Sequence, residues 1–253
     1  MIKLIFSFLI FNSLLLISGL VIFYQKLPHK ESFNSCFTTS MYELKICKNS
    51  NDYVDIKNVN SNLIKSILIS EDSLFYQHKG FDWKSIKNNF DETIKTKKIK
   101  KGGSTITQQL VKNIYFKGEK TISRKILEAI YTAKIETELS KVEILELYLN
   151  IIEFGPDIFG IKKASEYYFQ KSPKDLTLVE SAFLAMLLPN PTKNSSSFRK
   201  KELTSFAYFR IEKIITDLYN FKYISENEYE DGMGELSRFM RKSETDTVSI
   251  EVN

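Results

Sequence analysis

The chain opens with an uncharged run from Leu4 to Tyr24, 21 residues dominated by apolar side chains. At about 1.5 Å of rise per residue, a helix of that length just crosses a hydrocarbon core of roughly 30 Å, so the run predicts a transmembrane helix. A cleaved signal peptide is the competing expectation, but its apolar region normally spans about 7 to 15 residues and closes on small residues. Here the run closes on Leu20-Val21-Ile22-Phe23-Tyr24, which places aromatics at the interface and favours an uncleaved anchor. Lys3 and the amino terminus on one side stand against Lys26 and Lys30 on the other, so counting positive charges does not set the orientation.

Past the anchor the periodicity changes twice. Alternating apolar residues from Met41 to Ile56, around Asn49-Ser50-Asn51-Asp52, predict a small hairpin. Everything after it reads as helical. Leu63, Ile64, Ile67 and Leu68 recur at helical spacing within Ser61 to Ser70. Four later segments open with capping boxes: Thr105 with Gln108, Ser140 with Glu143, Thr177 with Glu180, and Ser225 with Glu228. An apolar helix from Leu178 to Leu188 stops at Pro189 and Pro191, and an amphipathic stretch runs from about Leu203 to Tyr219. No internal repeat is visible, and residues 242–253, rich in Ser, Thr and acids, are expected to be disordered. The predicted division is a membrane anchor and its flank over 1–30, a linker with the hairpin over 31–60, a helical domain over 61–241, and the tail.

Composition narrows this picture. With 253 residues, 43% hydrophobic and 26% charged, 9 Gly, 5 Pro and 2 Cys, the chain is neither collagenous, low-complexity nor a disulfide scaffold. The net charge is +5, and the five lysines Lys95, Lys97, Lys98, Lys100 and Lys101 equal that surplus, so the excess is local. Such a run suits an anionic partner or is simply a solvated loop. Cys36 and Cys47 could form a disulfide in an oxidising compartment or stand as two free thiols. With only His29 and His78 in the chain, neither at a metal-ligand spacing, a zinc site is not expected.

Three stretches could carry chemistry. In EDSLFYQHKG (Glu71 to Gly80), two carboxylates follow a hydrophobic helix, and a carboxyl desolvated at such an edge has a pKa raised toward the range of a general base. Glu71 is the candidate, and the bland alternative is a solvated helix end in which Glu71 or Asp72 caps the next turn. In KGGSTITQQLVKN (Lys101 to Asn113), a Gly-Gly turn runs into a capped helix whose free N–H groups and positive dipole end suit an anion. Lys112 lies four residues after Gln108 on one face, while Ile106, Leu110 and Ile114 line another. In SRKILEAIYTAKIE (Ser123 to Glu136), Arg124 and Lys125 precede Glu128 by four and three residues, giving either a phosphate-gripping cluster or an ordinary ion pair.

In order and at tight intervals, followed by KVEILELYLN (Lys141 to Asn150), FGPDIFGIKKASEYYF (Phe154 to Phe169) and LLPNPTK (Leu187 to Lys193), these stretches closely resemble glycosyltransferase family 51, the peptidoglycan glycosyltransferases. The nearest likeness is to monofunctional, membrane-anchored biosynthetic transglycosylases of Gram-negative bacteria. The resemblance implies a mainly α, lysozyme-like domain that polymerises lipid II into β1,4-linked glycan strands and releases undecaprenyl pyrophosphate by a single inverting displacement. By motif position, Glu71 matches the general base and Glu128 the second essential carboxylate, the latter acting at the leaving pyrophosphate through a divalent metal, Mg or Mn. Substrate binding is expected of Lys112, Arg124, Lys125, Lys120, Ser104, Thr105, Gln108 and Gln109. Lys120 stands where arginine is usual in the family, which weakens a bidentate phosphate contact there. Lys162, Lys163 and Ser165 also replace small residues of the family pattern, while Glu146, Asn150 and the Gly155 to Gly160 loop match later motifs that combine structural and donor-site roles, with packing expected for most of them. The implied partners are lipid II, the growing glycan strand, the membrane through residues 4–24 and other cell-wall synthesis proteins, with no nucleic acid. The implied location is the cytoplasmic (inner) membrane, with the amino terminus inside and the catalytic body outside.

Rival readings are a lysozyme-like lytic enzyme and an inactive membrane-anchored scaffold. The first has an alcohol leaving group and needs no cationic cluster; intact Glu71 and Glu128 speak against the second. Ser197-x-x-Lys200 matches an S-x-x-K pattern, but no S-D-N or K-T-G follows, so no transpeptidase activity is expected.

Overall fold

The structure, a computed structural model, describes residues 2–96, 103–199 and 202–239. The lysine run beyond Thr96, Lys200 and the tail at 242–253 lie outside the described residues. The chain is mainly helical, in agreement with the periodicity.

Helix α1 (Ile2–Gln25) is, among the described residues, the helix long and apolar enough to cross a membrane, and Leu14, Leu16, Ile17 and Ile22 are exposed along it. Its last turn and the chain just past it are tied to the body by polar contacts. Lys134 Nζ donates to the Tyr24 hydroxyl at 3.4 Å and lies 4.7 Å from the ring centroid, and the Lys30 N–H donates to Glu138 Oε2 at 3.0 Å.

The hairpin sits upstream of its predicted place. Strand β1 (Phe37–Thr38) pairs antiparallel with β2 (Lys45–Ile46), with Phe37 opposite Ile46, and the turn is Thr39 to Leu44 rather than Asn49 to Asp52. Long-range contacts explain the shift. Cys36 and Cys47 are disulfide-bonded just outside the pair, and the turn donates the Ser40 and Met41 N–H groups to Ile114 O and Asn113 O. Those two carbonyls lie in the last turn of a helix, where no intrahelical donor remains for them.

Two helical groups make the body. The first is centred on α8 (Leu178–Leu187), all of whose residues are buried, as expected of a helix that is hydrophobic on every face. Packed against it are α2 (Ser61–Glu71), α11 (Ser205–Asn220) and α12 (Glu226–Leu236). Each large apolar side chain buried there, such as Phe183 or Leu184, contributes about 1.5–3 kcal/mol. The second group is α4 (Ile106–Tyr115), α5 (Ile122–Glu138) and α6 (Lys141–Ile151). All four capping boxes are closed in both directions, starting α4, α6, α8 and α12 where the sequence predicts.

The remaining elements include two that the periodicity did not show: α3 (Trp83–Thr96) and a second hairpin, β3 (Glu153–Gly155) with β4 (Ile158–Phe159). The hairpin leads into α7 (Ile161–Phe169), and short turns α9 (Pro191–Asn194) and α10 (Ser196–Arg199) follow α8. Gly160 joins β4 to α7 at φ +82°, where a Cβ would stand 2.9 Å from Asn150 O. Asn150 in turn latches the 53–56 segment to α6, accepting from the Val54 N–H at 2.8 Å and donating to Val54 O at 2.9 Å.

Candidate active site

A cleft of about 540 Å³ opens between the two helical groups. One wall is Ser70 and Glu71 at the end of α2, Leu188 and Pro189 after α8, and Arg210 on α11; the other is Gln108, Gln109 and Lys112 on α4 with Arg124, Lys125 and Glu128 on α5. A second lobe of about 420 Å³ continues past Glu71 toward α3, and the two share Ser70, Glu71, Gly103 and Ser104.

Glu71 and Asp72 are adjacent in sequence and part company in space, because α2 ends between them: Asp72 has φ −161° and leaves the helix. Asp72 turns inward and is buried. Its Oδ2 accepts the N–H of Ile106, the first residue of α4, at 3.0 Å, and its Oδ1 lies 2.8 Å from His78 Nε2. The Gly80 N–H donates to His78 Nδ1 at 3.1 Å, so Nδ1 is the acceptor and Nε2 carries the proton given to Asp72. His78 is therefore a structural partner of Asp72, and Asp72 is the carboxylate that caps the next helix.

Glu71 faces the cleft. Burial raises its pKa above the ordinary carboxylate value; a hydrogen bond from Gln109 and the positive charge of Arg210 lower it, and Asp72 raises it further. The Gln109 Nε2 donates to Glu71 Oε2 at 2.9 Å, and Gln109 Oε1 accepts from the hydroxyl of the fully buried Tyr148 at 3.2 Å. The net direction is upward, which suits a proton acceptor working near neutral pH.

Opposite Glu71 the cleft is cationic. Arg124 and Lys125 both donate to the buried Glu128 carboxylate, one to each oxygen, as their spacing on α5 allows. Arg124 also stacks over Phe116, 5.8 Å from the ring centroid, and its Nε is buried without a partner among the described residues. Lys112 has its pKa lowered, chiefly by burial and also by the like charges of Arg124 and Lys125, against the opposing pull of Glu128. Four cations thus face two carboxylates, a surplus that suits an anionic ligand.

The cleft brings together most of the sequence candidates: Glu71, Glu128, Lys112, Arg124, Lys125, Ser104, Gln108 and Gln109. Gln108 Oε1 is committed to the Thr105 N–H in the capping box. Thr105 is buried, donates to Gly80 O at 2.7 Å and lines only the second lobe, so its position serves the start of α4. Lys120 is exposed on the connection between α4 and α5, apart from the residues lining the cleft. Glu146 and Asn150 hold the 53–56 segment, in line with the packing roles expected of them. Ser197 is buried, and its hydroxyl accepts the Thr204 N–H at 3.2 Å, so it faces no open site. Arg210 and Tyr148 were not singled out from the sequence. Arg210 lies mid-helix in an amphipathic stretch without a motif, and Tyr148 reads as one more apolar position of α6.

The transglycosylase family model matches residues 38–217. The chain is 38% identical over 165 residues to a biosynthetic peptidoglycan transglycosylase of Acinetobacter baylyi, covering 63% of this chain and 74% of that protein. It is 34% identical over 197 residues to the protein of that name in Janthinobacterium sp., covering 75% and 85% respectively. With its counterpart in Alcanivorax borkumensis it shares 44% identity over 140 residues, which are 55% of this chain and 57% of that one. A family match across both walls of the cleft, from the first hairpin into α11, and relatives of one name aligned over most of their length lead to one conclusion: the chain belongs to the transglycosylase family.

Proposed function

We propose that this protein is a peptidoglycan glycosyltransferase that polymerises lipid II into β1,4-linked glycan strands with release of undecaprenyl pyrophosphate. One observation carries the reading: a partly buried carboxylate of raised pKa, Glu71, faces a cationic pocket made by Lys112, Arg124 and Lys125 around Glu128. That is the pair of features a transfer from a diphosphate donor needs. The relatives' name, biosynthetic peptidoglycan transglycosylase, supports the same substrate class.

In the reaction, Glu71 takes the proton of the acceptor 4-hydroxyl as its oxygen attacks the anomeric carbon of the donor. The new C–O bond forms on the face opposite the pyrophosphate, whose bond to carbon breaks with the electron pair leaving on oxygen. Lys112, Arg124 and Lys125 meet charge that grows as that bond breaks, so their interaction is stronger in the transition state than before it. Gln109 holds Glu71 in place through its amide N–H.

A divalent ion, Mg or Mn, fits this cleft only together with substrate. Among the described residues no cluster of three or more His, Cys, Asp or Glu is placed to hold a metal, and Glu128 is the carboxylate beside the cations. One carboxylate completed by phosphate oxygens and water is a donor set that magnesium accepts. Bound there, the ion would neutralise charge on the pyrophosphate.

Helix α1 serves as the anchor, with the amino terminus in the cytoplasm and the body outside the cytoplasmic membrane, where lipid II is polymerised. The Cys36–Cys47 disulfide supports an oxidising surrounding for the body.

The test is polymerisation of purified lipid II by the full chain in detergent or liposomes, with a divalent metal, comparing wild type with Glu71→Gln. Polymer from wild type alone is expected. Polymer from both would move the base elsewhere, and binding without polymer from either would leave a scaffold.

A further inference from the structure

Behind the Glu71–Gln109 contact stands a residue that no substrate reaches. Tyr148, on α6, is fully buried, and its hydroxyl meets Gln109 Oε1 at 3.2 Å. Burial holds the phenol far above its ordinary pKa, and the negative charges of Glu71 and Asp72 push it further the same way, so the O–H stays protonated. Placed 3.2 Å from Gln109 Oε1, it donates to that oxygen. A glutamine amide has one accepting end and one donating end, so fixing Oε1 on Tyr148 leaves Nε2 for Glu71, which it meets at 2.9 Å. The reversed amide would set its oxygen against the Glu71 carboxylate and its NH2 against the phenol proton.

The groups facing Glu71 are few. Asp72 beside it on α2 disfavours its charge, Arg210 from α11 and Gln109 from α4 favour it, and Leu188 and Pro189 after α8 bring no charge. Of these, only the Gln109 dipole can reverse its sign by rotating in place.

We propose that Tyr148 is a positioning residue for the transfer reaction: its hydroxyl locks the Gln109 amide in the orientation that donates to Glu71, and so keeps Glu71 an ionised base. The proposal rests on the reading of Glu71 as the base. It assigns Tyr148 no contact with substrate.

The experiment is the pH profile of lipid II polymerisation by full-length wild type, Tyr148→Phe, Gln109→Met and the double variant, with Glu71→Gln alongside. Freed of the phenol, the amide turns part of the time, and the acid limb of kcat for Tyr148→Phe should move up by about half to one pH unit. Below the limb that is a three- to tenfold loss of rate by about the relation of one pH unit to tenfold, with KM for lipid II within about twofold. Raising the pH should restore most of the loss, which damage to the α6 packing would not allow. In the Gln109→Met background, Tyr148→Phe should shift the limb no further. An unmoved limb, a loss equal at all pH values, or an equal shift without Gln109 overturns the positioning role. If Glu71→Gln still polymerises, the base assignment itself fails, whatever Tyr148 does.

Discussion

Replacing Asp72 with Asn tests whether the two adjacent carboxylates have separate duties. In the native structure Asp72 is buried and accepts two hydrogen bonds, from the Ile106 N–H at 3.0 Å and from the protonated Nε2 of His78 at 2.8 Å. An asparagine cannot accept both. If its oxygen serves Ile106, its NH2 meets the His78 proton; if the oxygen serves His78, the NH2 meets the Ile106 N–H. Nor can His78 escape by moving its proton, because Nδ1 is held as an acceptor by the Gly80 N–H. One donor is thus left buried and unmatched, at about 1–3 kcal/mol, and the surviving bond falls from a charged to a neutral acceptor, at about 1 kcal/mol more. Loss of negative charge at the start of α4 adds to this by about 0.3–1 kcal/mol. We expect Asp72→Asn to lower stability by about 3 kcal/mol, or roughly 6–12 °C in Tm for a domain of this size. The assay is thermal and urea unfolding of the full chain in detergent. A loss below about 1 kcal/mol would refute the proton assignment on His78 and the capping role built on it.

Two further outcomes can be checked on the same material. Glu128→Gln should leave a folded protein that still binds lipid II, since Lys112, Arg124 and Lys125 all remain for pyrophosphate, while polymerisation drops by about 10²–10³-fold as Arg124 and Lys125 lose the carboxylate that positions them at the leaving group; a rate within tenfold of wild type would remove Glu128 from the chemistry. Gly160→Ala forces a side chain onto φ +82° with its Cβ 2.9 Å from the Asn150 backbone oxygen, and urea unfolding should register a cost of about 2–3 kcal/mol; an unchanged midpoint would show that the β4–α7 joint yields freely.

Much of the body was legible because its signals are local. A capping box is written in four consecutive residues and is satisfied by bonds within one turn, so the starts of α4, α6, α8 and α12 could be read directly. The convergence of Arg124 and Lys125 on Glu128 is likewise a matter of helical spacing on α5. The first hairpin was misplaced for the opposite reason. Its register is set by the Cys36–Cys47 bond and by the open carbonyls of Asn113 and Ile114, which lie far along the chain from the turn that meets them.

The sequence by itself thus determined the apolar N-terminal helix, the helical class, most helix starts and, through its ordered motifs, the likeness to the family, with Glu71 and Glu128 as its carboxylates. Only the tertiary structure decided where the adjacent carboxylates of Glu71 and Asp72 go. That α2 ends between Glu71 and Asp72 sends one carboxylate into a cleft and the other beneath the next helix. Only folding brings Arg210, Gln109 and Tyr148 to bear on Glu71. Spacing along a chain fixes which side chains share a helix face. The desolvation and the distant partners that set a carboxylate's proton affinity arise when separate helices pack.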